Sequence, residues 1–320
     1  MRSVVDAQVM ISSAPEVRRV LCTLVRMASE DGIDADLVRF LIAEQFPQWS
    51  DLPVQPVEKQ GWDNRTFRLG ETLAVRLPSA DGYVDGLIRE ERTLATLGPQ
   101  LHVAVPRVVA TGAPSAAFGR PWSVRPWIEG RTLASVAPGD RVSAITGLAD
   151  ALAELQACST ADGAWAGYTS AYRGCHVSVL GEGVQRALND LPQELADGCR
   201  ALWRTAVTTV WSDPPVWIHG DVSPGNVLYD DAGRLVALID FGQTCVGDPA
   251  CDLAFAWLSC TGHERGAFRD RLAVSDDTWI RGAAWALWKA LISSEETMAT
   301  TYGRDRLTVI RDVAALIRRD

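Results

Sequence analysis

Trp217-Ile218-His219-Gly220-Asp221-Val222-Ser223-Pro224-Gly225-Asn226-Val227-Leu228 is the most informative stretch of the sequence, and Leu238-Ile239-Asp240-Phe241-Gly242 completes it. In the first segment a carboxylate and a carboxamide stand five residues apart, just after an apolar strand. In the second, another carboxylate ends a further apolar strand, so the two segments predict a hairpin across which three oxygen ligands converge. Magnesium takes hard oxygen donors, keeps several waters, and uses one or two protein carboxylates together with phosphate oxygens. Phosphoryl transfer needs one more carboxylate, to receive the proton of the acceptor hydroxyl. An Asp base, an Asn five positions later and the Asp of a D-F-G triplet form the recurring set for that reaction. On this pattern Asp221 is the catalytic base, and Asn226 and Asp240 are the Mg2+ ligands. Taken singly, Asp221 and Asn226 would read as turn caps; their joint spacing and strand context favour chemistry. His219 has no second His and no Cys nearby, and reads as a hydrogen-bonded structural histidine.

The surrounding composition is that of an ordinary soluble globular protein. The chain has 320 residues, 47% hydrophobic and 22% charged, enough for two or three compact units at roughly 100 to 200 residues each. Lys plus Arg total 31 against 40 Asp plus Glu, a formal charge of -9, which argues against nucleic acid as a partner. Seven cysteines, widely spread and nowhere paired as C-x-x-C, fit free thiols in a cytoplasmic protein. No secretory signal and no apolar run long enough to span a membrane is present, so no membrane association is expected. Only two lysines occur, Lys59 and Lys289.

Working outward, periodicity divides the chain. Val17, Val20, Leu21, Leu24 and Val25, and then Leu37, Phe40 and Leu41, predict two short helices over 15–28 and 34–46. Pro47, Pro53 and Pro56 punctuate a link. Thr66–Leu69 and Leu73–Leu77 predict a hairpin turning at Gly70-Glu71, residues 85–97 a helix, and Val103–Ala110 and Pro121–Ile128 further strands. From Asp140, Val142, Ile145, Leu148, Leu152 and Leu155 form an amphipathic helical stripe. Residues 279–291, capped at Asp276 or Asp277, and residues 305–318 repeat it. Most of the twelve tryptophans, including Trp257, Trp279, Trp285 and Trp288, read as core.

At this point the sequence resembles the aminoglycoside phosphotransferase family, small-molecule and antibiotic phosphotransferases of kinase-like fold. The resemblance rests on His219-Gly220-Asp221 through Asn226, Ile239-Asp240-Phe241, Gly247-Asp248-Pro249-Ala250-Cys251-Asp252-Leu253-Ala254, Trp127-Ile128-Glu129-Gly130 and Val75-Arg76-Leu77-Pro78. It covers about residue 33 to the C-terminus. It implies an α+β, two-lobed protein-kinase-like fold, with an antiparallel sheet and helix in the N-lobe, a mainly helical C-lobe, and nucleotide in the cleft. The corresponding boundaries are an N-terminal extension over 1–28, an N-lobe over 29–127 and a C-lobe over 128–320. The extension is expected to be peripheral, although its apolar stripe argues otherwise.

Within that resemblance Arg76, of the R-L-P type, takes the place of the strand lysine that pairs the phosphates, ahead of Lys59. Glu90 is its helix partner, with Glu91 second. Gln60-Gly61-Trp62-Asp63-Asn64 is the phosphate-covering loop, so Gly61 and Asn64 join the nucleotide-binding set, and backbone groups from Arg125 to Trp127 meet the purine. Asp248 and Asp252 tie the catalytic loop. The implied activity is transfer of the γ-phosphate of ATP or GTP, with Mg2+, to the hydroxyl of a small molecule, an antibiotic. A metabolite kinase acting on choline, homoserine or a sugar, and a non-catalytic nucleotide-binding pseudokinase, are the alternatives. Residues 243–320 hold 11 Asp plus Glu against 10 Lys plus Arg, and residues 140–218 hold 9 against 5. That weak acidity suits a neutral or singly charged acceptor better than a polycation.

Overall fold

A computed structural model describes residues 32–317 apart from Lys59 and Trp62; the helix expected over 15–28 and the extension over 1–28 lie outside the described residues. The chain divides into two compact units. The described part of one comprises residues 32–99 and 104–129, and that of the other residues 100–103 and 130–317.

The first unit is built on a five-stranded antiparallel sheet in the order β1-β2-β3-β5-β4, with β1 Val54–Pro56, β2 Asn64–Leu69, β3 Leu73–Pro78, β4 Ala110–Gly112 and β5 Trp122–Pro126. Side chains alternate across the pleat. Phe67 and Leu69 on β2 and Val75 and Leu77 on β3 share a core with Val38, Leu41 and Ile42 of helix α1, Ala35–Gln45. Arg76, between Val75 and Leu77, has the opposite orientation. Helix α2, Val84–Leu97, buries Leu87, Leu94 and Leu97 and, among them, Glu90. The strand expected over Val103–Ala110 is shorter and later. Pro106 has no N–H to give to a ladder, and pairing with β5 begins only at Val109, whose amide donates to the Val124 carbonyl.

The second unit is mainly helical. Helix α3, Arg141–Ala157, buries the expected Ile145, Leu148, Leu152 and Leu155. Then come α4 Gly181–Leu188, α5 Gln193–Thr208, α6 Ala250–Ser259, α7 Gly262–Leu272, α8 Asp276–Ile292 and α9 Arg306–Ala314. Helix α6 is buried along its whole length and touches α8 so closely that a Cβ on Gly282 would lie 2.6 Å from Leu253 Cβ. The cap of α8 is Ser275, whose hydroxyl accepts from the Thr278 amide, and not the expected Asp276 or Asp277. Those two carboxylates occupy the first turn, where the helix dipole favours negative charge. Trp257, Trp279, Trp285 and Trp288 are all buried, as the helical stripes required. Among the described residues no helix is long and apolar enough to cross a membrane.

Residues 216–252 contain four strands, not two. Strand β7, Val216–Ile218, pairs with β10, Cys245–Gly247. Strand β8, Val227–Tyr229, pairs with β9, Leu235–Leu238, and with β6, Arg131–Thr132. Three-residue strands such as β10 are too short for a period-two pattern to appear. The two segments do meet in a hairpin, β8 with β9, where Val227 pairs with Leu238, but the strands that directly precede Asp221 and Asp240 are not partners of each other. Asp221 follows β7, and Asp240 follows β9.

Candidate active site

The turn after β7 needs glycine. Gly220 has φ +82, and a Cβ there would lie 2.6 Å from the Gln243 carbonyl oxygen. Asp252, fully buried at the start of α6, receives both neighbouring amides: His219 N–H donates to Oδ2 and Gly220 N–H to Oδ1, each at 2.8 Å. Burial raises the Asp252 carboxyl above its ordinary range, against the opposing pull of His219 and these amides. His219 Nε2 lies 3.0 Å from the Ile239 carbonyl, and its Nδ1 accepts from the Asp221 amide at 3.3 Å. One ring nitrogen therefore donates and the other accepts. The histidine is a structural brace between the two segments, as its isolation in the sequence indicated.

Asn226 sits where the β8–β9 ladder ends, its carbonyl accepting from the Ile239 amide at 2.9 Å. That bond sets Asn226 next to the residue preceding Asp240. Its Nδ2 donates to the Asp221 carbonyl at 2.9 Å and to Asp221 Oδ2 at 3.4 Å. Oδ1, which accepts nothing among the described residues, remains as an oxygen donor. Asp240 is in the left-handed region at φ 66, which costs a non-glycine residue of the order of 1–3 kcal/mol and concentrates at functional sites. Two carboxylates and a carboxamide thus share one small region, a hard-oxygen set of the kind that suits magnesium.

In the sheet unit Arg76 Nη1 donates to Glu90 Oε1 at 2.9 Å. Sequence reasoning gave Arg125 only a backbone role beside the purine and missed its side chain: it is a buried residue of β5 whose Nη1 and Nη2 both reach Glu90 Oε2 at 3.3 Å and whose Nη2 also reaches Glu91 Oε1 at 3.3 Å. Only the register that puts β3 beside β5 reveals it. Asn64 lies in strand β2, not in a loop. With its carboxamide oxygen turned toward the guanidinium, it accepts from Arg76 Nη2 at 3.1 Å and Nε at 3.3 Å. Gly61 is exposed, and its carbonyl accepts from Arg65 Nη1 at 2.8 Å. The Gln60 carboxamide closes this loop onto Thr66 through two 2.8 Å bonds; Lys59 and Trp62 lie outside the described residues. The Trp127 amide donates to the Thr72 carbonyl at 2.7 Å, and its ring carries the Arg68 guanidinium 4.8 Å from the centroid.

Burial alone would push the Glu90 carboxyl up; Arg76 and Arg125 together outweigh it and hold the group below its ordinary 4.5. Its contribution to stability is therefore complete above that ordinary value and is lost as the pH falls through the lower folded value. Glu90→Gln is expected to destabilise the protein at neutral pH and to flatten the acid limb of its stability curve, measured by urea denaturation from pH 7 downward. An unchanged acid limb would show that the Arg76–Glu90–Arg125 cluster does not carry that dependence.

Known proteins agree with this architecture. Residues 54–290 match the model of a family described as the phosphotransferase enzyme family. No curated protein sequence is similar enough to count as a match. Among solved structures, wild-type aminoglycoside 2'-phosphotransferase-IIIa in its GDP complex is similar with a TM-score of 0.69 at 20% identity, covering 88% of this chain and 99% of that one. Macrolide 2'-phosphotransferase type I gives 0.60 at 21%, covering 88% and 96%. Macrolide 2'-phosphotransferase MphH from Brachybacterium faecium gives 0.59 at 22%, covering 90% and 98%. At these identities the likeness establishes the kinase-like α+β fold. The family match, which takes in both Arg76–Glu90 and the segment from Asp221 to Asp240, establishes more: the chain belongs to the phosphotransferase enzyme family, whose reaction here has an alcohol group as acceptor.

Proposed function

We propose that the protein is a Mg2+- and nucleoside-triphosphate-dependent O-phosphotransferase that inactivates a hydroxylated antibiotic. The observation that carries this reading is the Asp221–Asn226–Asp240 group, held by the β8–β9 ladder end and by the Asn226–Asp221 bonds. GDP and ADP complexes among the similar structures support a nucleotide donor, ATP or GTP. The aminoglycoside and macrolide enzymes among them support an antibiotic acceptor. The six described cysteines form no disulfide among them, which supports a reducing, cytoplasmic setting.

The chain's own groups divide the work. Asp221 accepts the proton of the acceptor hydroxyl and aims its oxygen. Asn226 Oδ1 and the Asp240 carboxylate would hold Mg2+, which when bound neutralises phosphate charge. Arg76, fixed by Glu90 and Asn64, adds a second positive charge toward the phosphates, in the planar geometry of a guanidinium. Arg125 fixes Glu90 from the other side.

Expression in a sensitive bacterium, challenge with an antibiotic panel and product mass measurement test the activity. An increase by one phosphate on a panel member is the expected result; no phosphorylated product alongside nucleotide turnover on other hydroxyl compounds would point to a metabolite kinase instead. Asp240→Ala should weaken Mg2+-nucleotide binding as well as turnover. Identical Mg2+ titrations in the wild type and this variant would remove Asp240 from the ligand set.

A further inference from the structure

The loop between α3 and α4 has features that the phosphotransfer machinery leaves unexplained. It is laid along β10 by main-chain bonds: Val246 N–H to the Ala164 carbonyl at 2.8 Å, Ala166 N–H to Val246 at 2.9 Å, and Asp248 N–H to Gly174 at 2.8 Å. A Cβ on Gly247 would lie 2.3 Å from the Gly174 carbonyl oxygen, so the approach tolerates only glycine. Between these anchors Trp165 and Tyr168 are exposed, at 69% and 84%. Ala171 and Tyr172 are both in the left-handed region, with φ 47 and 63. A bulky residue at positive φ is an outlier that a fold keeps where it has a use. What this backbone presents next is Arg173.

Arg173 extends its guanidinium over two buried rings of α8, with centroid distances of 4.8 Å to Trp288 and 5.6 Å to Trp285. Lys289 Nζ lies 5.9 Å from the same Trp288 ring. Two cations therefore share one tryptophan. Among the described residues no carboxylate forms an ion pair with either; Arg173 Nη1 donates to the Ala171 carbonyl at 3.0 Å, while the partly buried Lys289 ammonium makes no hydrogen bond. The carboxylate acting on Lys289 through space is Asp221, which also acts on Tyr302. Tyr302 is buried and ends the π-helical turn Met298–Tyr302, a distortion frequent at functional sites. Burial, with the neighbouring Arg173 charge, pushes the Lys289 ammonium down to about 8 against the pull of Asp221.

We propose that Arg173 and Lys289 position the acceptor, and that the acceptor is a hydroxyl compound bearing an anionic group close to the hydroxyl that is phosphorylated, not a polyammonium sugar. The inference rests on Asp221 being the base, since that fixes where the acceptor hydroxyl must sit. Two cations without a carboxylate ion-pair partner, one within electrostatic reach of Asp221 and the other next to Gly174, where a Cβ would lie 3.0 Å from Ile218 of the strand leading to Asp221, attract negative charge and repel ammonium groups. Lys289 and Arg173 are a pair that a free anion or the phosphoryl group of the nucleotide could also engage, so the test separates these sources.

Because the sequence has only Lys59 and Lys289, Lys59→Arg protein grown with [13Cε]lysine gives one side-chain NMR signal. It is titrated with three compounds of one skeleton, mandelate, methyl mandelate and 2-amino-1-phenylethanol, and separately with Mg-ATP. Mandelate should shift the signal saturably, the ester less and the amine not at all, and Arg173→Met should abolish the shift. An amine-induced shift as large as that with mandelate, no mandelate shift at tens of millimolar, or saturation by Mg-ATP alone would overturn the proposal. With an acceptor found by product mass, Lys289→Met should raise acceptor KM by about 10-fold or more with nucleotide KM unchanged, and Lys289→Arg should restore it. Retention of turnover by Asp221→Ala would remove the base, a failure distinct from these because the lysine titration is read without turnover.

Discussion

Asp221→Ala is expected to lower kcat by about 10²- to 10⁴-fold, the range that general-base catalysis typically contributes, while nucleotide affinity stays close to that of the wild type. The structure separates these two effects. The shorter of the two Asn226 bonds goes to the Asp221 main-chain carbonyl, at 2.9 Å, and only the 3.4 Å contact uses the carboxylate. His219 and Gly220 are held through their amides by Asp252. An alanine at 221 leaves all of these main-chain bonds in place, so Asn226 and Asp240 keep their positions. Single-turnover kinetics alongside nucleotide titration provide the check. Near-normal turnover would end the assignment of Asp221 as base; an equal loss of nucleotide affinity would mean that the carboxylate serves the metal instead.

The parts of this site that were legible in the sequence are those in which function compresses several constraints into a few consecutive residues. Asp221, Asn226 and Asp240 fall in two short segments, and the spacing that makes them chemically useful is the spacing that made them visible. Arg76 and Glu90 are 14 residues apart, on a strand and the helix after it, and their pairing was expected from the family resemblance, not from a local pattern. Arg125 was hidden because its bond to Glu90 depends on β5 lying against β3, a register no local pattern states. Arg173 and Lys289 were hidden for the same reason, since the ring of Trp288 unites segments far apart in the chain. The long helices declared themselves through apolar stripes, whereas β10 and the late start of β4 did not, being only three residues each. The cap at Ser275 was misplaced by one or two residues because three consecutive residues, Ser275, Asp276 and Asp277, can all accept from a backbone amide.

Asp248→Ala should be the most destabilising single change in the helical unit, with a loss of about 3–5 kcal/mol, the range for removing one partner of a buried ion pair. Arg281 is fully buried, and its Nε donates to Asp248 Oδ2 at 2.7 Å, with Nη2 reaching Oδ1 at 3.4 Å. Thr209 and Thr278 hydroxyls take two more of its donors, each at 3.2 Å. Those bonds satisfy geometry but supply no opposite charge, so an alanine at 248 strands a guanidinium without water. Urea denaturation of Asp248→Ala, Arg281→Met and the double variant reads the effect. The double variant should recover much of the loss, because an apolar pair escapes the desolvation cost that a lone charge bears. A loss under about 1 kcal/mol in the single variant would place the pair with solvated ion pairs, which contribute little. The Asp248 amide that anchors the Gly174 carbonyl, next to Arg173, is main chain and remains in the alanine variant. Acceptor KM should therefore stay near the wild-type value wherever that variant is folded, and its loss should appear in stability, in contrast to Asp221→Ala, which changes turnover.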